Sequence, residues 1–84
     1  MTNYKRVSVQ EVESNKYIVS LIERTPGNDF RLNNIDSSLQ EGYNAIKKVN
    51  DLIIDFNLSD ETIISINNLE YGQEECTVKY WNEK

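Results

Sequence analysis

The 84-residue chain contains no histidine and a single cysteine, Cys76. Without histidine, the Ser-His and Cys-His nucleophile pairs and all zinc sites that include histidine are excluded. A lone cysteine supplies neither a CxxC redox pair nor a cysteine-rich zinc site, and it cannot form an internal disulfide, which favours a reducing compartment. The sequence therefore predicts no catalytic residue and no metal site, and we expect that the protein is not an enzyme.

Glycine and long apolar runs are also scarce. The three isolated glycines form neither a Walker-type loop nor a GxGxxG motif, so no phosphate-binding cofactor is expected. No apolar run reaches the roughly 18 residues that a transmembrane helix requires, and residues 1–16 lack the apolar core of a signal peptide. We therefore expect a cytoplasmic protein, in its own cell or in a host cell, without membrane contact.

Positive charge is the next shortage. The formal net charge is −5, and residues 32–84 carry four basic against ten acidic side chains. Contacts with phosphate groups need clustered Lys and Arg, so neither nucleic acid nor an anionic lipid surface is expected as a partner. An acidic domain of this kind suits a basic protein partner, and solubility alone is the alternative explanation.

The only long periodic segment runs from Asp36 to Asn57 and predicts an amphipathic helix. Apolar residues recur there at spacings of three and four and define a predicted inward stripe: Leu39, Tyr43, Ile46, Val49, Ile53 and Phe56. Three further apolar residues widen the stripe: Ala45, Leu52 and Ile54. Asn50 falls on the same side, and it needs a hydrogen-bond partner if it is buried.

The two ends of this predicted helix are marked by polar residues. Ser37 with Gln40, or Ser38 with Glu41, can form a capping box, and Gly42 indicates a close approach to the sheet. The carboxyl end carries an acidic cluster, which consists of Asp51, Asp55, Asp60 and Glu61. Carboxylates at this end oppose the helix dipole, so they either meet a basic partner or form a solvated surface.

Strand patterns flank the helix on both sides. The segments 4–13 and 16–25 predict one hairpin, with either a bulge near Gln10-Glu11 or a fraying edge. The segments 61–71 and 75–81 predict a second hairpin. Residues 25–29 form a strong turn signal, after which residues 30–32 form either an extra edge strand or a plug for the core. The expected fold is a single α+β domain over residues 1–84. It comprises one antiparallel sheet of two hairpins (β-β-α-β-β) covered on one face by one helix.

Alternation along these strands divides the side chains between two faces. One predicted face packs on the helix through Val7, Val9, Val19, Leu21, Ile64, Ile66, Val78 and Tyr80. The opposite face carries four large apolar residues, which are Ile18, Ile22, Ile63 and Trp81. So many apolar side chains on a wet face indicate a contact surface, and scattered exposed residues are the alternative.

These features predict a small non-enzymatic protein-binding module. It would act by occluding a larger partner, as an inhibitor or antagonist encoded by a phage or another mobile element does. The predicted contact residues are the four apolar residues of the opposite face and the four carboxylates of the acidic cluster. The alternative is a homodimer of structural or housekeeping role, in which the same face binds a second copy.

Overall fold

A computed structural model of the protein describes residues 4–24 and 32–83. These residues form five strands and two helices in the order β-β-β-α-β-β-α. The strands are β1 (Tyr4–Glu13), β2 (Lys16–Arg24), β3 (Leu32–Glu41), β4 (Ile63–Asn68) and β5 (Gly72–Thr77), and the helices are α1 (Tyr43–Asp55) and α2 (Val78–Glu83). The expected α+β class is confirmed, but the detailed architecture differs from the prediction.

The strands form one mixed sheet in the order β3-β2-β1-β4-β5. Both predicted hairpins are present, because β1 pairs antiparallel with β2 and β4 pairs antiparallel with β5. The hairpins meet through β1 and β4, which are parallel, so the prediction of a purely antiparallel sheet was wrong. A parallel neighbour requires a long crossover connection, and α1 supplies it by carrying the chain from the β3 edge back across the sheet.

The first third of the predicted helix is a strand. Residues 36–41 belong to β3, which pairs antiparallel with β2, so neither Ser37 nor Ser38 caps a helix. The helix begins only after Gly42, whose φ of 54° is a conformation that glycine adopts without strain. The Gly42 amide donates to the Asn15 carbonyl at 3.0 Å. A Cβ on Gly42 would lie 3.3 Å from the Asn15 side chain, so the expected close approach exists at the start of the helix.

This later start changes which side of α1 is buried. The buried residues of α1 are Ala45, Val49 and Leu52, whereas Tyr43 and Ile46 of the predicted stripe are exposed. The segment before Gly42 is no longer helical, so the apolar residues there do not set the phase of the helix. The core is completed by residues that alternation placed correctly on the helix-facing side: Val7, Val9, Val19, Leu21, Ile64 and Val78.

The last predicted strand also ends early, and a second helix follows it. β5 stops at Thr77, whose Oγ1 accepts a hydrogen bond from the Tyr80 amide at 3.2 Å and so caps α2. The Val78 amide donates to the Thr62 carbonyl at 2.9 Å. Val78 and Trp81 lie three residues apart and both pack on the core, so α2 lies on the same side of the sheet as α1. The prediction of one covering helix was therefore wrong.

The two turns at the far ends of the hairpins are joined by Glu11. Its carboxylate accepts hydrogen bonds from the Asn15 amide at 3.1 Å and from the Leu69 amide at 2.9 Å. The predicted bulge is confirmed, because the β1–β2 register shifts between Glu11 and Glu13. The predicted turn at residues 25–29 lies outside the described residues. An extra edge strand does follow it and includes Leu32, whereas residues 30 and 31 lie outside the described residues.

Candidate contact surfaces on the two faces of the sheet

The sheet face turned away from the helices, here called the open face, has a row of serines at its centre. Ser37, Ser20, Ser8 and Ser65 occupy adjacent positions on β3, β2, β1 and β4. The Oγ atoms of Ser20 and Ser37 are 3.0 Å apart and hydrogen-bonded, and the Gln73 side-chain amide donates to Ser65 Oγ at 3.2 Å. Ser20 and Ser65 are each only 8% exposed. This serine row is therefore a narrow polar trough in which three hydroxyls, those of Ser20, Ser37 and Ser65, are hydrogen-bonded within the sheet.

Aliphatic side chains border the serine row on both sides. Leu39 and Ile18 are register partners on one side, at 59% and 38% exposure. Ile22 and Ile63 lie on the other side, where each is the partner of Arg6. The three isoleucines thus occupy the face that alternation predicts, and their role as contact residues stays a prediction.

Trp81 lies on the opposite side of the molecule from these isoleucines. Its indole Nε1 donates to Asn50 Oδ1 of α1 at 2.7 Å, and its ring packs beside the core. Its expected placement with the three isoleucines was wrong, because the chain turns into α2 after Thr77 and α2 folds over the helix-bearing side. Asn50 is exposed, so its position does not require a partner, but its side-chain oxygen accepts this hydrogen bond and thereby orients the indole.

A groove lies beside Trp81 on this helix-bearing side. It has a volume of about 480 Å³ and is lined by Ile66, Glu74, Glu75, Cys76, Tyr80 and Trp81. Four of the lining residues are apolar or aromatic, and Glu74 is exposed at the edge of the groove. The Glu75 carboxylate turns to the open face, where it lies 3.5 Å from the Arg6 guanidinium. The groove therefore combines apolar and aromatic side chains with an acidic rim at the β5 edge of the sheet.

The four carboxylates of the predicted acidic cluster lie on α1 and in the loop that follows it, and their role as contact residues stays a prediction. The hydrogen bond from Lys48 to Asp36 of β3, at 2.8 Å, raises the pKa of the Lys48 ammonium group, and the charges of Asp51 and Asp55 on α1 add to this shift. The hydrogen bond from Lys48 lowers the pKa of the Asp36 carboxyl. Asp60 and Glu61 are in the loop before β4, where the Asp60 carbonyl accepts the Lys79 amide of α2. The four carboxylates thus divide between the β3 side of α1 and the start of α2.

The groove residues Ile66, Glu74, Cys76 and Tyr80 were not predicted as a site. Ile66, Glu74 and Cys76 are brought together by the pairing of β4 with β5, and α2, which the strand pattern concealed, adds Tyr80 and Trp81. Two sequence signals would have revealed α2: Thr77 at a capping position, and the three-residue spacing of Val78 and Trp81. Asn50 was noticed only as a polar residue in need of a partner.

Among residues 4–24 and 32–83, no three His, Cys, Asp or Glu side chains form a group that could hold a metal ion. Within the same ranges, no helix has the length and apolar character needed to cross a membrane. Comparison with protein-family models, with curated proteins and with solved structures finds no match for this chain. Function must therefore be inferred from the geometry and the charge of the two faces.

Proposed function

We propose that this chain is a small non-enzymatic protein-binding module that acts by occluding a larger partner. The groove beside Trp81 is its contact site. One observation carries the proposal: an aromatic and aliphatic concavity of about 480 Å³ lies against an edge strand and has a carboxylate at its rim. The partner segment that fits this site is extended, and it carries an apolar side chain next to lysine or arginine.

The groove has the composition of an energetic centre in a protein interface. Trp and Tyr are enriched among the residues that dominate binding energy, and both line this groove. The hydrogen bond from Trp81 to Asn50 holds the indole in place before binding, so little conformational freedom is lost when a partner docks. An apolar partner side chain that fills the groove would displace water from the exposed Tyr80 ring and from Ile66.

The adjacent strand adds a second mode of contact. β5 is the last strand of the sheet and pairs with β4 alone among the described strands. A partner strand can pair with such an edge through backbone hydrogen bonds, while neighbouring pockets receive its side chains and provide specificity. Backbone pairing at β5 and insertion into the groove are therefore compatible within one extended segment.

The negative charge of the chain favours a partner of positive charge. The chain carries a net charge of −5, and Glu74 stands at the groove rim while Asp60 and Glu61 lie near the start of α2. A negative field of this kind speeds the approach of a basic partner and repels an acidic one. It is screened by salt, so association should slow as ionic strength rises.

Trp81 allows a direct test, because it is the only tryptophan in the chain. A peptide of alternating Lys and Val is titrated against the protein while indole emission is followed, and the same peptide with Glu in place of Lys is the control ligand. We expect an emission change that saturates with the basic peptide only and weakens at high salt. The proposal is wrong if neither peptide changes the emission, or if both change it equally.

Variants then locate the binding site. Glu74→Lys and Tyr80→Ala should each weaken peptide binding, by about tenfold or more for the tyrosine. Glu41→Lys makes the same charge change on exposed β3, at the other edge of the sheet, and should reduce binding much less. The same three variants serve as baits in affinity capture from lysate of the source cell. A partner retained equally by all of them does not bind the groove.

A further inference from the structure

We propose that the open face binds the open face of a second copy of this chain, so that the protein forms a face-to-face homodimer. The inference concerns a different surface from the groove and does not depend on it. The open face is the side of the sheet without a helix, and its centre is the serine row bordered by aliphatic residues.

The relief of the open face is complementary to itself. Leu39 and Ile18 form one ridge, which Gln10 and Asn67 continue across β1 and β4. Ile22 and Ile63 stand along a second line with Arg6 between them, and the serine row forms the trough between the two lines. Two sheets that pack face to face lie about 10 Å apart with interdigitating side chains. A ridge of one copy can therefore enter the trough of the other, where the small serine side chains leave room for it.

When a second sheet covers the serine row, most of the serine hydroxyls keep a hydrogen-bond partner. Ser20 and Ser37 are hydrogen-bonded to each other, and Ser65 accepts a hydrogen bond from the Gln73 amide. Unsatisfied polar groups are what makes burial of a polar surface unfavourable. These three serines keep their partners when a second sheet covers them, so the apolar contacts on either side of the row are gained at a small desolvation penalty.

The distribution of charge favours a second copy over another occupant. On the open face, Arg6 and Glu75 form an ion pair at 3.5 Å that spans β4 and leaves this part of the surface nearly neutral. The carboxylates of Asp51, Asp55, Asp60, Glu61 and Glu74 belong to α1, to the loop before β4 and to the groove rim. Two molecules of net charge −5 therefore repel each other least when their open faces approach.

The size of the face sets the expected strength of the dimer. Five strands about 4.8 Å apart, with about six residues each, give a footprint of roughly 500 Å² per copy. The total of about 1,000 Å² lies at the lower limit for a specific interface, in the range of weak and transient complexes. The dimer should therefore dissociate on dilution, with a dissociation constant on the order of micromolar.

Dimerisation through this face leaves the groove accessible. The groove is on the helix-bearing side, so the two grooves of a dimer point away from each other. A partner with two copies of the basic segment would then gain from bivalent attachment. Loss of the dimer and loss of groove binding are separate results, because they are caused by different residues.

Sedimentation equilibrium of the full chain over about 1 μM to 1 mM tests the proposal. The unaltered chain should pass from monomer to dimer in this range. The double variant Ile18→Lys/Ile22→Lys should raise the dimer dissociation constant by about 30-fold or more. Ile54→Lys makes the same chemical change on α1, at a side chain that is 75% exposed on the other side of the sheet, and should leave the dissociation constant unchanged.

Two results of that experiment overturn the proposal: a chain that stays monomeric up to 1 mM, and a dimer that the double variant does not weaken. Circular dichroism melting shows whether the double variant is folded. If it is not, amide chemical shifts of the unaltered chain, recorded over the same dilution, decide the matter. Concentration-dependent shifts at Ser8, Ser20 and Ser65 support the open-face dimer, and shifts confined to α1 and α2 overturn it.

Discussion

The two faces of the sheet use the same strands for different purposes. On the helix-bearing face, valines, leucines and isoleucines from the strands pack against Ala45, Val49 and Leu52 of α1 and Val78 of α2. On the open face, Ser20 and Ser65 are buried among the residues whose exposure is described. Apolar burial is the main source of stability, so the helix-bearing face supplies most of it. The open face can therefore vary its side chains at little cost to the fold, which suits a contact surface.

The faces also differ in how their charges are arranged. Near the helices, Lys48 is shared by Asp36, Asp51 and Asp55, while Glu74 stands at the groove rim. On the open face, charges of both signs are present, among them the ion pair of Arg6 with Glu75 and the register partners Lys16 and Glu41. We therefore expect the helix-bearing side to attract a charged partner at long range, and the open face to bind through shape complementarity at short range.

The largest expected difference between the faces is in stability. Leu52 is 1% exposed under α1, so Leu52→Ala should lower the free energy of unfolding by about 3–4 kcal/mol through lost burial and a residual cavity. The same substitution at Leu39, on the open face, should lower it by less than about 1 kcal/mol in the monomer. Urea unfolding at low protein concentration measures both values. Equal losses at the two positions would show that the open face is also part of the core.

A smaller effect is expected at the hydrogen bond between the helices. Asn50→Ala removes the acceptor of the Trp81 indole, and Asn44→Ala makes the same change at an exposed position of α1. Both variants replace Asn by Ala in α1 and so gain the same helix propensity. The difference between their free energies of unfolding therefore measures the hydrogen bond, and we expect it to be about 1 kcal/mol. Indole emission should shift in Asn50→Ala alone. If the two variants melt together and emit alike, the hydrogen bond does not hold Trp81 in place.

The Asp36–Lys48 pair makes the stability of the helix-bearing side depend on pH. The pKa of Asp36 is lowered from its ordinary value of 3.8, so its contribution is present above that pH and is lost as pH falls through the folded-state pKa. The pKa of Lys48 is raised from 10.5, so its contribution is present below that pH and is lost at higher pH. The pair is partly exposed, and its contribution should stay below about 1 kcal/mol.

Urea unfolding at pH 7 and at pH 3 measures the acid limb of this dependence. The unaltered chain should lose more stability between the two pH values than Asp36→Asn, because the variant has no carboxyl to protonate at this position. Other carboxylates contribute equally to both proteins, so the difference between them belongs to the pair. An identical loss in the two proteins would mean that the ion pair adds nothing to stability.

Sequence patterns identified one face of this sheet better than the other. Alternation placed Val7, Val19 and Ile64 in the core and Ile18 and Ile63 on the open face, because a strand has only two directions for a side chain. Helix boundaries were harder to predict. The apolar spacing on both sides of Gly42 predicted one continuous helix, although the chain leaves β3 and enters α1 at this residue. The pairing of β3 with β2 and the contact of Gly42 with Asn15 are long-range, so the local sequence does not reveal them.

The candidate groove could not be predicted because it depends on where α2 folds. A strand continued through Trp81 sends the indole to the open face, whereas a helix that starts at Val78 brings it beside Asn50, 31 residues earlier in the chain. The parallel pairing of β1 with β4 was equally hidden, because no local pattern records which strands become neighbours after a crossover. The sequence did contain Thr77 at the capping position, and this signal was outweighed by the alternation of Cys76, Val78 and Tyr80.

The smallest expected effect lies in the serine row. Ser20 and Ser37 share a hydrogen bond at 3.0 Å, so a double-mutant cycle with alanine at both positions should give a coupling energy of about 0.5 kcal/mol in the monomer. A second cycle with Ser20 and Ser65 is the matched control. These serines lie on strands separated by β1, about 10 Å apart, so their effects should add.

Urea unfolding of the single and double variants, at concentrations below dimer formation, yields both couplings. If only the first cycle shows coupling, the serine side chains are ordered within each monomer, and the shape of the open face exists before dimerisation. If the first cycle shows no coupling, the serine hydroxyls are not held within the sheet, and the relief of the open face would have to form on contact.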